Sequence, residues 1–405
     1  MKVAYFCEPQ LGGTYTFFRR MRPALATDGI ELRCIPPYSA ELFTDSEFRD
    51  DEGVEYVSFP QSDLAASTRV LIEHLKREAY DAVVVLPGSD TLCVNMIRYL
   101  PHGIRATARV PMFTRGSYAP ASAISDHVNM LFAVCHRIAD DLRDRYGVPD
   151  HKVEVIYNGI EVPSDIRPKS TSDESRPFHI VFTGRLVDSH KGITLLPVML
   201  QRLVDKGVDA QLTVVGDGPD AELLRHRIAM SGMQERIAMI GKVSLVEVRN
   251  FLQAADAYVL PTRYEGCPNA LLEAMANGCA PVVSRLRGST DIIIEDGRSG
   301  LLAEVGDTDS FVGHLYRLAQ DRTACAEMGR MAHERIAKQF RIEQTAEFYA
   351  NVLKRLPTMP DERAEALSLS RYNIPRTMRP TWRTRVPEPL KNRIREWLER
   401  IGVST

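Results

Sequence analysis

Short apolar runs alternate with stretches of helical period along most of the chain. In the first part the runs are VAYFC at 3–7, AVVVL at 82–86, RVPMF at 109–113 and NMLFAV at 129–134. Short runs of β-branched and aromatic residues bounded by turn residues predict strands, and strands spaced by helices predict a parallel sheet covered on both faces. A polar stretch, PSDIRPKSTSDESRP at 163–177, breaks the alternation with Pro, Ser and mixed charge and reads as a linker. The alternation resumes with FHIVFTG at 178–184, AQLTVVG at 210–216, RIAMIG at 236–241, AYVLP at 257–261 and APVVS at 280–284. Helical patterns follow at 307–320, 322–338 and 341–355; beyond them the chain is rich in Pro and Arg, and only 387–401 regains a helical period. No internal repeat is apparent. The pattern predicts two successive α/β domains at 1–165 and 178–340 joined by a linker at 166–177, then a crossover helix and basic tail at 341–405.

Length agrees with this division, since 405 residues exceed what one hydrophobic core usually organises. An apolar fraction of 44% and a charged fraction of 26% are those of a globular protein. The net charge of -2 offers no bulk attraction for nucleic acid or an anionic membrane, so any such partner must find a local patch, and only the C-terminal tail supplies one. The seven cysteines contain no C-x-x-C pair and read as free buried thiols in a reducing compartment. MKVAYFC runs straight into a strand pattern, and no segment approaches the roughly 18 apolar residues of a membrane span. A cytoplasmic location is expected.

Ligands of open parallel sheets bind beyond the carboxyl ends of the strands, where loops turn into helix N-termini. Five such loops carry unusual residues. Gly12 and Gly13 after the first run would let backbone approach a phosphate, although they do not form G-x-G-x-x-G because Tyr15 and Thr16 follow. Gly184, Arg185 and Lys191 share a second loop, whose two cations suit a departing diphosphate. GDGP at 216–219 and GKVS at 241–244 mark two more. The fifth, YEGCPNALLEAMANG at 264–278, holds Glu265 in a loop and Glu273 about one turn inside a helix starting near Asn269. Two acceptor-only carboxylates can then face one ligand at two points, with N–H groups around Gly266, Cys267, Pro268, Asn269, Ala270 and Leu271 between them. The bland alternative is two helix-start carboxylates and two solvated cations.

GRLVDSHKGITLL at 184–196, VGDGP at 215–219, IGKVSLVEV at 240–248, PTRYEGCPNALLEAMANGCAPVVS at 261–284 and DGRSGLL at 296–302 together resemble the retaining glycosyltransferases of family 4. The resemblance extends more weakly to Gly12-Gly13 and to VEVIYNGIEVP at 153–163. It implies a GT-B fold, two Rossmann-like domains whose parallel sheets face a central cleft, with a C-terminal helical tail. It implies that Arg185 and Lys191 bind the donor diphosphate, that Glu273 holds the ribose, that Glu265 contacts the transferred sugar, and that Gly12 approaches the phosphates from the other domain. Lys242 and Val243 are among the donor-binding positions, and the nucleotide diphosphate sugar is a substrate rather than a cofactor. No metal is expected, and the sequence shows no D-x-D or His/Cys spacing for one.

One departure stands out. Where the family often has a histidine near the reacting sugar, MFTRGSY at 112–118 presents Arg115, an acceptor-side candidate, while His127 and His136 read as structural. Two further readings follow: a non-catalytic nucleotide-sugar-binding subunit, or another GT-B enzyme such as an epimerase or phosphorylase. A nicotinamide dehydrogenase conflicts with the missing G-x-G-x-x-G. The expected partners are a nucleotide sugar and a saccharide or lipid-linked acceptor, not nucleic acid, with peripheral membrane contact expected through the basic amphipathic stretch at 387–401, whose structural alternative is packing back on the N-terminal domain.

Overall fold

The computed structural model describes residues 1–405 except 11, 61, 167–175 and 380–405. Most of the expected linker and the whole of 387–401 therefore lie outside the described residues. The chain forms two compact units, one of residues 1–159 with 342–405 and one of 160–341. The division falls at Gly159/Ile160 and Arg341/Ile342, before the polar stretch rather than within it.

Unit 1 contains a parallel sheet of β1 (Lys2–Tyr5), β2 (Glu31–Cys34), β3 (Ala82–Val85), β4 (Arg105–Val110), β5 (Met130–Ala133) and β6 (Val153–Val155), in the order β2-β1-β3-β4-β5-β6. Its helices are α1 (Gly13–Ala26), α2 (Leu64–Arg77), α3 (Thr91–Met96), α4 (Arg115–Ala123) and α5 (His136–Asp144). In unit 2, β7 (Phe178–Thr183), β8 (Ala210–Val215), β9 (Ile237–Gly241), β10 (Ala257–Leu260), β11 (Ala280–Ser284) and β12 (Leu301–Ala303) form a second parallel sheet, ordered β12-β11-β10-β7-β8-β9. Its helices are α6 (Asp188–Lys191), α7 (Leu195–Asp205), α8 (Ala221–Ser231), α9 (Leu245–Ala254), α10 (Asn269–Ala276), α11 (Thr290–Ile293), α12 (Thr308–Gln320) and α13 (Arg322–Gln339). The last helix, α14 (Ile342–Arg355), returns to unit 1.

The central strands β3, β5, β10 and β11 are buried along their whole length, as expected when helices cover both faces of a sheet. The strand expected at 109–113 instead occupies 105–110 and stops before Pro111, which has no N–H to continue the ladder. Its polar residues hid it. Arg109 is only 2% exposed, yet its guanidinium donates to Asn158 Oδ1 at 2.6 Å and stacks over the Phe17 ring at 4.1 Å. The edge strands β2, β6 and β12 are three or four residues long, too short for periodicity to announce them.

Helix α14 completes the core of unit 1. Tyr349 packs on Phe17 of α1 at 5.4 Å and on Phe132 of β5 at 4.8 Å, with Ile342, Ala346, Val352 and Leu353 in the same cluster. The chain then continues along unit 1 as a strap. Asp361 accepts from Asn129 Nδ2 at 2.9 Å and from Arg363 at 2.8 Å, and pairs with His102 at 2.9 Å. Further on, the Asn373 carbonyl accepts from Asn95, Arg98 and Tyr99 side chains, and Tyr372 stacks on Tyr99 at 5.0 Å. A 3₁₀ turn at Arg376–Met378 packs on α4 with Met378 buried.

Burial by itself would raise the Asp361 pKa, but the Arg363 guanidinium, helped by Asn129 and His102, more than offsets it and holds the carboxyl well below the usual range. A carboxyl depressed by folding contributes stability above its unfolded pKa, about 3.9, and that contribution is lost as the pH falls. The contribution of Asp361 to the melting temperature is therefore constant from pH 8 to 5 and declines below about pH 4. Asp361→Asn should lower the melting temperature at pH 7 and flatten its acid limb relative to the parent; identical pH profiles would remove Asp361 from the anchoring of the strap.

Candidate active site

In unit 2 the strand order reverses beside β7, since β8 and β9 lie to one side and β10 to the other. Such a reversal leaves a crevice at the carboxyl ends of the two strands, where open α/β sheets hold ligands. The loops that leave β7 and β10 are the ones carrying Gly184 to Gly192 and Pro261 to Pro268.

Glycines allow these loops to meet. Gly192 ends α6 in the left-handed conformation, φ 60°, and a Cβ there would stand 2.3 Å from Pro261 O. The approach lets His190 O accept from Arg263 N–H at 2.7 Å and from Thr262 Oγ1 at 2.7 Å. From the other side, Gly216 has φ 134°, and a Cβ on it would fall 2.0 Å from Gly184 O. A Cβ on Gly218 would come within 2.4 Å of Leu186 O. The GDG of residues 216–218 thus supports the loop after β7 through its own backbone.

This bracing brings two of the expected residues together. Lys191, the last residue of α6, forms an ion pair with Glu265 Oε1. Their side chains are 18% and 9% exposed, and Thr262 Oγ1 lies 3.4 Å from the same carboxylate oxygen. Ser289 Oγ is within hydrogen-bonding distance of both Glu265 O, at 2.9 Å, and Gly266 O, at 2.8 Å, which fixes the backbone behind the carboxylate. Lys191 is therefore not a solvated surface cation. Arg185 is exposed beside the same loop and has no ion-pair partner among the described residues.

Helix α10 starts at Asn269, so Glu273 is its fifth residue, half-buried. Its first turn has no acidic residue and no side-chain cap, which leaves the positive end of the helix dipole uncompensated from within the helix. Tyr258 on β10, wholly buried, donates to Thr183 O at 3.4 Å at the end of β7. Its phenol pKa is pushed well up, first by burial and then by the charges of both Glu265 and Glu273. The two carboxylates thus share one neighbourhood. Asn269 and Ala270 are half-exposed, while Gly266, Cys267 and Pro268 are buried. The Leu271 side chain lies in the core, and its N–H donates to Pro268 O at 3.0 Å. Lys242 is exposed and Val243 half-buried between β9 and α9, whose start is fixed by a capping box of Ser244 and Glu247.

In unit 1 the same reversal occurs between β1 and β3. Gly13 opens α1, and Gly12 before it is extended, with nothing within 4 Å of where its Cβ would be. Arg115 is the exposed first residue of α4. His136 is exposed, with Nδ1 2.9 Å from Tyr157 Oη, and His127 is half-buried. Sequence reasoning passed over Glu8 and Asp90, which leave β1 and β3 at this reversal. Burial, then the Asp90 charge, raises the Glu8 pKa, and burial raises that of Asp90 despite its cap on the N–H of Cys93. No motif marks them; only the strand order unites them.

All seven cysteines are free and buried. Among the described residues, no cluster of three or more His, Cys, Asp or Glu is arranged to hold a metal, and no helix is long and apolar enough to cross a membrane.

The model of glycosyltransferase family 4 matches residues 11–162, and that of glycosyl transferases group 1 matches 177–321. The chain is 32% identical to N-acetyl-alpha-D-glucosaminyl L-malate synthase of Bacillus anthracis, over 87% of this chain and 96% of that one. It is 29% identical to the lipopolysaccharide core biosynthesis glycosyltransferase LpsE of Rhizobium meliloti, over 88% and 100%. The match to the amylovoran biosynthesis glycosyltransferase AmsK of Erwinia amylovora, 29% identical, spans about half of each chain, 52%. Among solved structures, Anabaena HepE in complex with UDP-glucose superposes with a TM-score of 0.70 at 16% identity, covering 88% of this chain and all of that one. The lipopolysaccharide outer core galactosyltransferase WaaB gives 0.66 at 21%, with the same coverage. These two likenesses establish the shared fold.

Proposed function

The chain belongs to the glycosyltransferases of the family 4 and group 1 type, and from that premise we propose that it moves a hexosyl group from a nucleotide diphosphate sugar to a saccharide or lipid-linked acceptor, with retention of configuration and without a metal. The observation that carries this reading is the Lys191–Glu265 pair at the strand-order reversal of unit 2, with Arg185 exposed beside it. Arg185 and Lys191 stabilise the charge that collects on the leaving diphosphate, the part a metal plays elsewhere. Glu265 accepts from hydroxyls of the transferred sugar, and Glu273 from the ribose. Backbone groups of 266–271 meet the donor at the start of α10, and Lys242 and Val243 add donor contacts between β9 and α9. Gly12 and Gly13 are assigned to the donor phosphates because neither backbone strain nor packing in unit 1 requires glycine at 12. The leaving phosphate itself takes the acceptor proton, so that a histidine in place of Arg115 is not needed for the chemistry; Arg115 contacts the acceptor. The enzyme works in the cytoplasm, in polysaccharide or glycolipid synthesis, and peripheral contact with the membrane through 387–401 would bring it to a lipid-linked acceptor.

The donor is identified by ranking UDP, GDP, ADP and their sugars by thermal shift, because a ligand that binds only the folded state raises the melting temperature. With that donor, NMR of the product should show the donor's anomeric configuration, and turnover should persist in EDTA. An inverted product, or activity lost to chelation and restored by Mn²⁺ or Mg²⁺, would refute the reading.

A further inference from the structure

Helix α14 carries one side chain that its packing does not explain. Ile342, Ala346, Tyr349, Val352 and Leu353 lie in the core of unit 1, whereas Phe348 is 62% exposed, the one exposed phenylalanine among the described residues, and none of their aromatic rings packs on it. Phe348 lines a cleft of about 580 Å³ between α14 and β6, the edge strand of the first sheet. Glu154 lines it from β6, Asn351 and Arg355 continue the helix wall, and Thr358 stands at one end. Residues 348, 351 and 355 are three and four positions apart on α14, so their side chains share one face along about 10 Å of the helix.

The polar groups of the cleft are unengaged. Among the described residues the half-buried Glu154 carboxylate and the Asn351 side-chain amide have no hydrogen bond or ion pair, and Arg355, whose Nε donates to Asn351 O at 3.2 Å, has no carboxylate partner. Lys354 is held by Asp28 at 2.7 Å. One free carboxylate and one free guanidinium remain, so the cleft has little net charge with which to attract a phosphate. It is also separate from the crevice of unit 1. That crevice lies at the carboxyl ends of β1 and β3, whereas Thr358 follows Pro357, whose carbonyl accepts from Arg105 at the amino end of β4, so the cleft runs toward the other end of the sheet.

We propose that this cleft is a second saccharide-binding site, outside the transfer site, for a neutral oligosaccharide. An exposed ring offers a flat apolar surface on which the C–H face of a pyranose stacks, leaving the sugar hydroxyls to project sideways. Those hydroxyls both donate and accept, and they meet a carboxylate that only accepts, an amide that does both and a guanidinium that only donates. The volume is that of a small-ligand pocket, and about 10 Å of wall accommodates two linked sugar rings. A saccharide chain tethered on unit 1 is kept at a raised effective concentration for a further transfer, which favours extended acceptors over short ones. That use rests on the saccharide acceptor of the proposed function; the binding itself does not.

The full chain is applied to an array of gluco-, galacto- and manno-oligosaccharides, neutral and phosphorylated, and the tightest binder is titrated by saturation-transfer NMR, with thermal melting and the nucleotide-sugar thermal shift measured alongside. Neutral oligosaccharides should bind, and more tightly than their monosaccharides. Phe348→Ala should weaken binding about tenfold, the loss of one stacked ring, and so should Glu154→Gln combined with Asn351→Ala, whereas Phe348→Trp should keep it. Melting and donor response should stay those of the parent in every variant, because the ring is exposed and the two polar groups are unbonded. A parent that binds no neutral glycan, a preference for the phosphorylated series, or a Phe348→Ala variant that binds like the parent overturns the proposal. Glycan binding that depends on Phe348, with no response to any nucleotide sugar, would instead overturn the assignment of the donor site and uphold the cleft.

Discussion

Lys191→Ala should lower kcat for sugar transfer by two to three orders of magnitude and also lower the melting temperature, and a second change, Glu265→Ala, should restore the melting temperature without restoring turnover. The first effect is that of removing one electrostatic donor to a leaving group. The second follows from burial. With Lys191 gone, Glu265 is a carboxylate 7% exposed whose closest remaining polar contact is Thr262 Oγ1 at 3.4 Å. Breaking a buried pair by removing one partner costs about 3 kcal/mol or more, whereas removing both partners is often close to neutral. The measurements are steady-state kinetics and melting curves of the two single variants and the double variant. Additive melting shifts, with the double variant less stable than either single one, would show that the pair does not function as a unit. The same geometry has a consequence for the donor. If Lys191 turns from Glu265 toward a diphosphate, a sugar hydroxyl offered at that moment gives the carboxylate a new partner. A nucleotide diphosphate lacking its sugar gives it none, so the sugar nucleotide should bind more tightly than its own product.

Gly216→Ala should prevent stable folding of unit 2, while Gly12→Ala should leave the melting temperature within about 2 °C of the parent and impair donor binding. At Gly216 the backbone has φ 134° and a Cβ would fall 2.0 Å from Gly184 O and 2.9 Å from Gly184 C, so neither the conformation nor the space admits a side chain. Relief would require parting β7 from β8 at their carboxyl ends, and such clashes belong to the few mechanisms that exceed about 4 kcal/mol. On a unit of this size that is roughly 8 to 16 °C, enough to make the variant insoluble or largely unfolded at 37 °C. At Gly12 the backbone is extended and nothing stands within 4 Å of a built Cβ. Its absence of a side chain matters only to something that arrives. Circular dichroism melts and donor thermal shifts of both variants separate the two kinds of glycine; a Gly12→Ala protein with normal donor response would return that position to the turn.

Much of this could be read before any coordinates. The apolar runs placed eight of the strands closely because residues such as Val83, Val84 and Val259 are buried on both faces and leave an unbroken signal. The signal failed where burial was achieved by chemistry rather than by hydrophobicity, as at Arg109, and where strands were too short to establish a period, as at Glu31–Cys34. In the site, spacing placed Glu273 one turn into its helix but could not show that Lys191 and Glu265 touch, because that contact depends on Gly192 lying against Pro261, two residues far apart in the chain. Glu8 and Asp90 were missed for the same reason: each is an ordinary carboxylate until the order β1-β3 brings their loops together.

The return of α14 to the first unit has a bearing on how the protein is made. Residues 1–159 leave the ribosome first, yet Tyr349, Val352 and Leu353, which pack with Phe17, Met21 and Phe132, are synthesised only after all of unit 2. Unit 2 is one continuous segment, 160–341, and has everything it needs as soon as it emerges. At typical rates of about 5 to 20 residues per second, the apolar face of α1, complete at Ala26, waits some fifteen to sixty-five seconds for its covering helix, which ends at Arg355. The usual order, in which the N-terminal part of a chain settles first, is therefore reversed here, and the nascent first half is the portion most in need of a chaperone's protection.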